Sequence, residues 1–165
     1  MKNIKKNLFS LLILAAISTT ISCKTTTSAV NTKLDKKTEK MLKGNWTIST
    51  VNYTGANLFK VTSFNIADSN CFVGSNWSFI SNNNKGQMRL NNPSTSCLNF
   101  NSPTTWYVNK DGDFVLKIIN SHKAKSVNNG FVLNINNLTQ TSFDLVDKIN
   151  VAGTIKNITY SFQRK

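Results

Sequence analysis

Acidic side chains are scarce in this chain. Seven Asp and Glu stand against twenty Lys and Arg, for a formal charge of +13, and His122 is the single histidine. Paired-carboxylate acid–base catalysis and imidazole-based metal sites are therefore poorly supplied. His122 lies in Ser121-His122-Lys123 and reads as a solvated loop residue. Asp111 and Asp113 flank Gly112 in a turn, where aspartate serves backbone geometry; Asp144 and Asp147 read as surface charges on a strand. A calcium site at that turn lacks ligands in number. Arginine occurs only twice, and no basic stripe alternates with aromatics, so the surplus charge does not take the form used by single-strand nucleic-acid binders. The expectation is a protein with no enzymatic activity, no metal, no cofactor and no nucleic-acid partner.

A membrane-spanning run is missing too. The apolar stretch Leu8–Ile17 falls short of the roughly 20 residues that a bilayer crossing needs. It follows Lys2, Lys5 and Lys6 and leads through Thr20-Ile21-Ser22 to Cys23, the layout of an export signal that is removed. Residues 1–22 are assigned as this signal. Ser22-Cys23 resembles a lipobox, with Thr20 where Leu or Val is commoner, so Cys23 is the expected lipidation site. Ordinary secretion with Cys23 discarded is the alternative. Two or more acyl chains anchor a protein stably, at about 0.8 kcal/mol per buried methylene. Lysine rather than acid follows Cys23, and the expected location is the cell envelope, on the periplasmic face of the outer membrane. Processing leaves roughly 140 residues, enough for one domain with its own core. The mature charge is about +9. With Cys23 acylated, Cys71 and Cys97 are an even pair in an oxidising compartment. A disulfide is the expected state and two free buried thiols the alternative.

Residues 23–43 read as a Thr/Ser-rich tether and a short helix. Thr32 and Asp35 have capping-box spacing, Leu34, Thr38, Met41 and Leu42 fall near one face, and Gly44 is placed as a stop. Lysines 33, 36, 37, 40 and 43 form a solvated face, with a lipid-headgroup patch as the alternative. From Gly44 onward the apolar period changes to two: Trp46-Ile48, Trp77-Phe79, Met88-Leu90, Trp106-Val108, Phe114-Leu116-Ile118, Phe131-Leu133-Ile135, Phe143-Leu145 and Ile158-Tyr160-Phe162. Such alternation marks strands with one buried face. Turn-forming stretches such as Asn82–Gly86, Lys110–Asp113 and Ala152-Gly153 are of hairpin length, so neighbouring strands run antiparallel. Asn92-Pro93 and Ser102-Pro103 read as loop residues on either side of Cys97. Eight or nine strands in a meander hide their edges by closing into an all-β up-and-down barrel over residues 44–165; a sandwich is the alternative. A Cys71–Cys97 bridge would pin the irregular segment from Leu58 to Ser75 against the loop after Asn91.

Gly44-Asn45-Trp46, at the start of the first strand, resembles the opening motif of the lipocalins. From about Leu42 to Lys165 the chain is similar to the lipocalin-like domain of lipoproteins in Bacteroidetes-type bacteria. The likeness takes in Cys71-Phe72, Trp77-Ser78-Phe79, Cys97, Trp106-Tyr107, Asp111-Gly112 and Tyr160-Ser161-Phe162. It departs from animal lipocalins in lacking their middle motif and a C-terminal helix. The resemblance implies an eight-stranded calyx able to hold one small apolar molecule. It also implies that an arginine stacked on the motif tryptophan closes one end of the barrel. Pairing the first strand with the last puts Arg164 beside Trp46, on a face shared with Ile158, Tyr160 and Phe162; a frayed terminal charge is the alternative. Trp106, Val108, Leu116, Leu133 and Tyr160 are the expected ligand contacts, with Trp106 at the mouth, whereas Trp46 and Phe79 read as packing. The expected function is a membrane-anchored, monomeric carrier of a small apolar or amphipathic ligand. The alternative is a filled barrel whose loops contact another envelope protein.

Overall fold

The computed structural model describes residues 35–55, 60–80, 82–91, 94–120 and 130–165. The expected signal, Cys23, Thr32, Asn92-Pro93 and His122 lie outside them. Helix α1 (Lys36–Leu42) has Asp35, not Thr32, as its N-cap. The Asp35 carboxylate accepts from the Lys37 and Thr38 N–H groups at 3.1 and 3.0 Å and from the Thr38 hydroxyl at 2.6 Å. These bonds, led by that of the Thr38 hydroxyl, hold its pKa below the ordinary carboxylate value.

Strand β1 (Gly44–Tyr53) follows at once, and then a small hairpin of β2 (Thr62–Ser63) and β3 (Ala67–Asp68) and a 3₁₀ turn at Ser69–Phe72. The remaining strands are β4 (Asn76–Ile80), β5 (Lys85–Leu90), β6 (Phe100–Val108), β7 (Asp113–Ile118), β8 (Phe131–Asn136), β9 (Ser142–Val151) and β10 (Thr154–Arg164). β1 and β4–β10 form a closed eight-stranded antiparallel barrel, which excludes the sandwich. Trp46 of β1 stands opposite Trp77 on one side and Arg164 on the other, so the first strand joins the ring to the last.

Strand direction sorts the connections into two ends. The β4–β5, β6–β7 and β8–β9 turns lie at one end, together with α1, whose leading Asp35 N–H donates to the Val108 carbonyl at 3.1 Å. The segment between β1 and β4, the loop after β5 and the β9–β10 turn lie at the other. Ser102 and Pro103 belong to β6 rather than to a loop. Pro103 lies within the β5–β6 ladder, opposite Gln87, but its backbone faces the β7 side, where its carbonyl accepts from the Ile119 N–H; the β6–β7 ladder starts one residue later, at Thr104–Ile118, so the missing donor falls past the end of β7.

Along the barrel strands the inward residues alternate, as the period-two pattern requires, clearly in β4, β6 and β10 and with a register shift in β1 between Ile48 and Thr50. Their rings make a continuous fill through the lower half: Phe143 stacks on Phe162 at 4.5 Å, Phe162 meets Trp77 at 5.8 Å, Phe79 meets Trp106 at 5.1 Å, and Trp106 stacks on Phe114 at 5.6 Å. Gly86 faces this interior, where a Cβ would lie 2.6 Å from both the Ser78 carbonyl and the Thr104 hydroxyl, so its bareness makes room beside Trp106. An eight-stranded ring is just wide enough for side chains to occupy it. Residues 32–165 form one compact unit around this core.

Candidate ligand site

A helix ends with carbonyls that have no partner of their own. In α1 they are taken by two side chains of the barrel. The Trp46 indole donates to the Leu42 carbonyl at 2.8 Å, and Arg164 Nη1 and Nη2 donate to the Lys43 and Met41 carbonyls at 3.0 and 3.1 Å. Arg164 Nε also donates to the Gln140 carbonyl. The guanidinium carbon sits 4.1 Å from the Trp46 ring centroid, an arrangement worth about 0.5–1 kcal/mol at an exposed site. Ile158, Tyr160 and Phe162 of the same strand face are buried, while Arg164 stays exposed at the rim. Gly44 has φ +136° and leaves no room for a Cβ, which would collide with Arg164 Nη1. The Gly-x-Trp pair thus has a physical reading: the glycine seats the arginine and the tryptophan receives it.

Glu39 completes this end. It is 1% exposed; its Oε1 accepts from the Val108 N–H at 3.1 Å and from Asn84 Nδ2 at 3.2 Å, and its Oε2 from Lys36 Nζ at 2.9 Å. Reading the lysine-rich helix as a solvated face misses it, although it is the one acid within Lys36–Leu42.

The opposite end is built differently. The β2–β3 hairpin folds over the mouth and puts Phe64, 5% exposed, inside the barrel. The Phe64 ring lies 5.2 Å from Phe72, 5.2 Å from Phe131, 5.1 Å from Tyr160 and 6.1 Å from Trp77. A buried hydroxyl chain fastens the hairpin. Tyr160 donates to Ser63 Oγ at 2.6 Å, Ser63 and Ser69 hydroxyls lie 2.8 Å apart, and Ser69 donates to the Val61 carbonyl at 2.8 Å. Burial raises the Tyr160 pKa far above the ordinary phenol value, the Ser63 bond opposing it and the Asp147 charge adding to it. The Cys71–Cys97 disulfide, Cα atoms 5.5 Å apart, ties the end of this segment to the loop after β5, as expected.

Between the hairpin and the rims of β6, β7 and β8 lies an open depression of about 370 Å³. Phe64, Ile66, Leu98, Phe100, Ile118 and Phe131 supply its apolar walls, and Asn65 and Asn120 its amides. Leu98 is 44% exposed there. The depression is concave and combines apolar side chains with polar groups, which make up nearly half of its exposed lining.

The residues expected to touch a ligand do not share a wall. Trp106, Val108, Leu116 and Leu133 are fully buried packing residues. Trp106 sits towards the helix-covered end, not at the mouth: its indole donates to the Lys85 carbonyl at 2.9 Å, and its backbone N–H to the Asn84 carbonyl at the same distance. Tyr160 is the one member of the set that reaches the hairpin. Asp147, expected on the surface, shares the inward side of β9 with Phe143 and Leu145 and is half-buried, and desolvation raises its pKa. Ile118 and Phe131 could have been found as inward positions where strands meet the mouth. Phe64 and Ile66 carry no periodic signal. Among the described residues, no three His, Cys, Asp or Glu side chains are grouped to hold a metal.

No family model and no curated protein matches the chain. Among solved structures, a complex of bovine odorant binding protein with a selenium-containing odorant is similar at 14% identity, over 77% of this chain and 72% of that one, with a TM-score of 0.45. Odorant-binding protein from bovine nasal mucosa is similar at 13% identity, over 76% and 72%, with a TM-score of 0.45. Lobster apocrustacyanin A1 is similar at 12% identity, over 82% and 71%, with a TM-score of 0.43. At such values the closed eight-stranded topology itself, rather than these likenesses, carries the fold.

Proposed function

We propose that the protein is a lipid-anchored barrel of the cell envelope that binds a small apolar or amphipathic molecule at its mouth, without catalysis. The observation that carries the binding role is the depression of about 370 Å³ walled by six apolar side chains and two amides. Burial of an apolar ligand there gains roughly 25 cal/mol per Å² removed from water. Asn65 and Asn120 would orient a polar group. The anchor rests on the Cys23 signal, and the lysine rather than acid that follows Cys23 supports the periplasmic face of the outer membrane. The filled lower half favours a second reading, a solid barrel that serves as an interaction module.

The test is calorimetry of the 32–165 unit against a fatty acid, a retinoid, haem and a bile acid, with Ile118→Asp as control. Saturable binding that Ile118→Asp abolishes supports the carrier. Absence of binding across the set leaves the interaction module. Mass spectrometry of the membrane-extracted protein tests the anchor: diacylation or triacylation at Cys23 is expected, and an unmodified chain beginning after Cys23 contradicts it.

A further inference from the structure

Phe64 is an unusual core residue in the way it arrives. It and Asn65 are the central residues of the β2–β3 turn, with φ of 52° and 55°, and the Ile66 N–H closes the turn onto the Ser63 carbonyl at 3.0 Å. Two successive positive φ values are the signature of a type I′ turn, where Asn, Asp and Gly are favoured. Asn65 fits. A phenylalanine does not, because its Cβ crowds the backbone in the left-handed region. Strain of this kind persists where the surroundings over-determine it, and it points towards function.

The surroundings here are the Phe64 ring, a hydroxyl chain and the Tyr53 phenol on the Val61 backbone. β2 and β3 are two residues each and pair only with one another in strand ladders; barrel strand β1 reaches the segment through the Tyr53 phenol, which bonds the Val61 backbone beside β2. The turn itself is held by the Phe64 ring among Phe72, Trp77, Phe131 and Tyr160, and by the Tyr160 hydroxyl on Ser63. The Cys71–Cys97 bridge keeps the far end of the segment attached whatever the turn does. Withdrawing Phe64 would open an aromatic-lined socket at the inner end of the mouth depression and free the Tyr160 hydroxyl at its edge.

Resting on the reading of the mouth as an apolar-ligand site, we propose that Phe64 is the built-in occupant of a deeper socket, displaced by a ligand that carries a small aromatic ring and a hydrogen-bonding group for Tyr160. The socket offers edge-to-face contacts to the entering ring and one phenol at its edge. The socket walls are the rings of Phe72, Trp77, Phe131 and Tyr160, which offer no cationic partner, so a neutral ligand is favoured over a carboxylate. The apparent affinity of the empty protein is lowered by the small fraction of molecules in which Phe64 is withdrawn.

N-phenyl-1-naphthylamine and its sulfonated analogue 8-anilino-1-naphthalenesulfonate share a ring system and differ in charge. Their fluorescence titration against the 32–165 unit, as wild type, Phe64→Gly and Ser63→Ala, tests the proposal. Phe64→Gly relieves the backbone strain and removes the occupant; Ser63→Ala loosens the turn and leaves both the socket and Tyr160 intact. The neutral probe should bind Phe64→Gly about tenfold more tightly than wild type and Ser63→Ala about threefold more tightly, with smaller gains for the sulfonate. Saturating the wild type with the neutral probe should also speed amide exchange at Ile66 and Ser69. If neither variant gains affinity, or if Phe64→Gly alone gains while wild-type exchange is unchanged, Phe64 is ordinary packing and the proposal fails. If Phe64→Gly does not fold, Ser63→Ala and the exchange measurement decide. Wild-type binding that perturbs Leu98 and Ile118 without any gain in the variants leaves the mouth reading standing and removes the socket; no binding by any form removes both.

Discussion

The two ends of the barrel solve the same problem, covering an apolar interior, by opposite means. At the helix end the polar groups interlock: the last carbonyls of α1 are taken by Arg164 and Trp46, and the buried Glu39 bonds the end of β6 and the β4–β5 turn. At the mouth, a hairpin of four strand residues with a strained turn is held by the Phe64 ring, a hydroxyl chain, the Tyr53 phenol on the Val61 backbone and a covalent bridge. Few strand hydrogen bonds and a small docked area mark a region that opens at low cost. The difference makes the mouth the end by which the proposed ligand would enter.

Trp46→Ala should do the greatest damage. It removes a fully buried indole that also caps α1 and receives Arg164, and the expected loss is about 3–5 kcal/mol in chemical denaturation. A loss under about 1 kcal/mol would mean that the helix end is not the anchor. Replacing Cys71 and Cys97 together by serine should cost roughly 3 kcal/mol, from releasing a 26-residue loop in the unfolded chain. In the native state that change should loosen only the mouth, so fluorescence of Trp106 should keep its buried character. Glu39→Ala leaves the Val108 N–H and Asn84 without their acceptor and should cost about 2 kcal/mol, with α1 lifting first. Gly44→Ala should cost about 1–2 kcal/mol by forcing a side chain into positive φ and against Arg164; the same substitution at Gly153, in the mouth-end turn with open space for a Cβ, should displace no neighbour.

Acid should set the ends against each other. Asp35 has its pKa lowered, so its stabilising bonds are intact above the ordinary value of 3.8 and are lost as pH falls through the lowered folded value. Asp147 has its pKa raised, so its desolvated charge opposes folding above the raised folded value, and this opposition fades as pH falls from there towards 3.8. Asp147→Asn should therefore stabilise the protein at pH 7 and flatten the pH dependence of Tm above 3.8, whereas Asp35→Asn should flatten it below. Unchanged profiles in both variants would contradict this division.

Much of the helix end was legible in the sequence because it is written in periodicity and pairing. Period two fixes which residues point inward, and closing strand one on strand ten puts Arg164 opposite Trp46 by register alone. Glu39 was illegible because a helix of seven residues with four lysines close by looks solvated, and only docking onto β6 shows which side is covered. Pro103 reads as a loop breaker until the β6–β7 ladder is known to start after it. The mouth was legible in its covalent bridge and in the inward parity of Ile118, Phe131 and Tyr160, and not in its hairpin. Phe64 follows no period and sits where its own backbone preference argues against it, and Asp147 looks like a surface charge until the inward parity of β9 is fixed by Phe143 and Leu145. Local rules fail where tertiary contacts override them, and such places are where function concentrates.

A fixed end and a releasable end share one barrel. Residue-resolved amide exchange of the 32–165 unit, oxidised and then reduced, tests it most directly. The account predicts that breaking the Cys71–Cys97 bridge speeds exchange at Ile66, Ser69 and Gly74 while Glu39, Trp106 and Val108 stay as slow as before. Loss of protection at both ends together, or at neither, would contradict it.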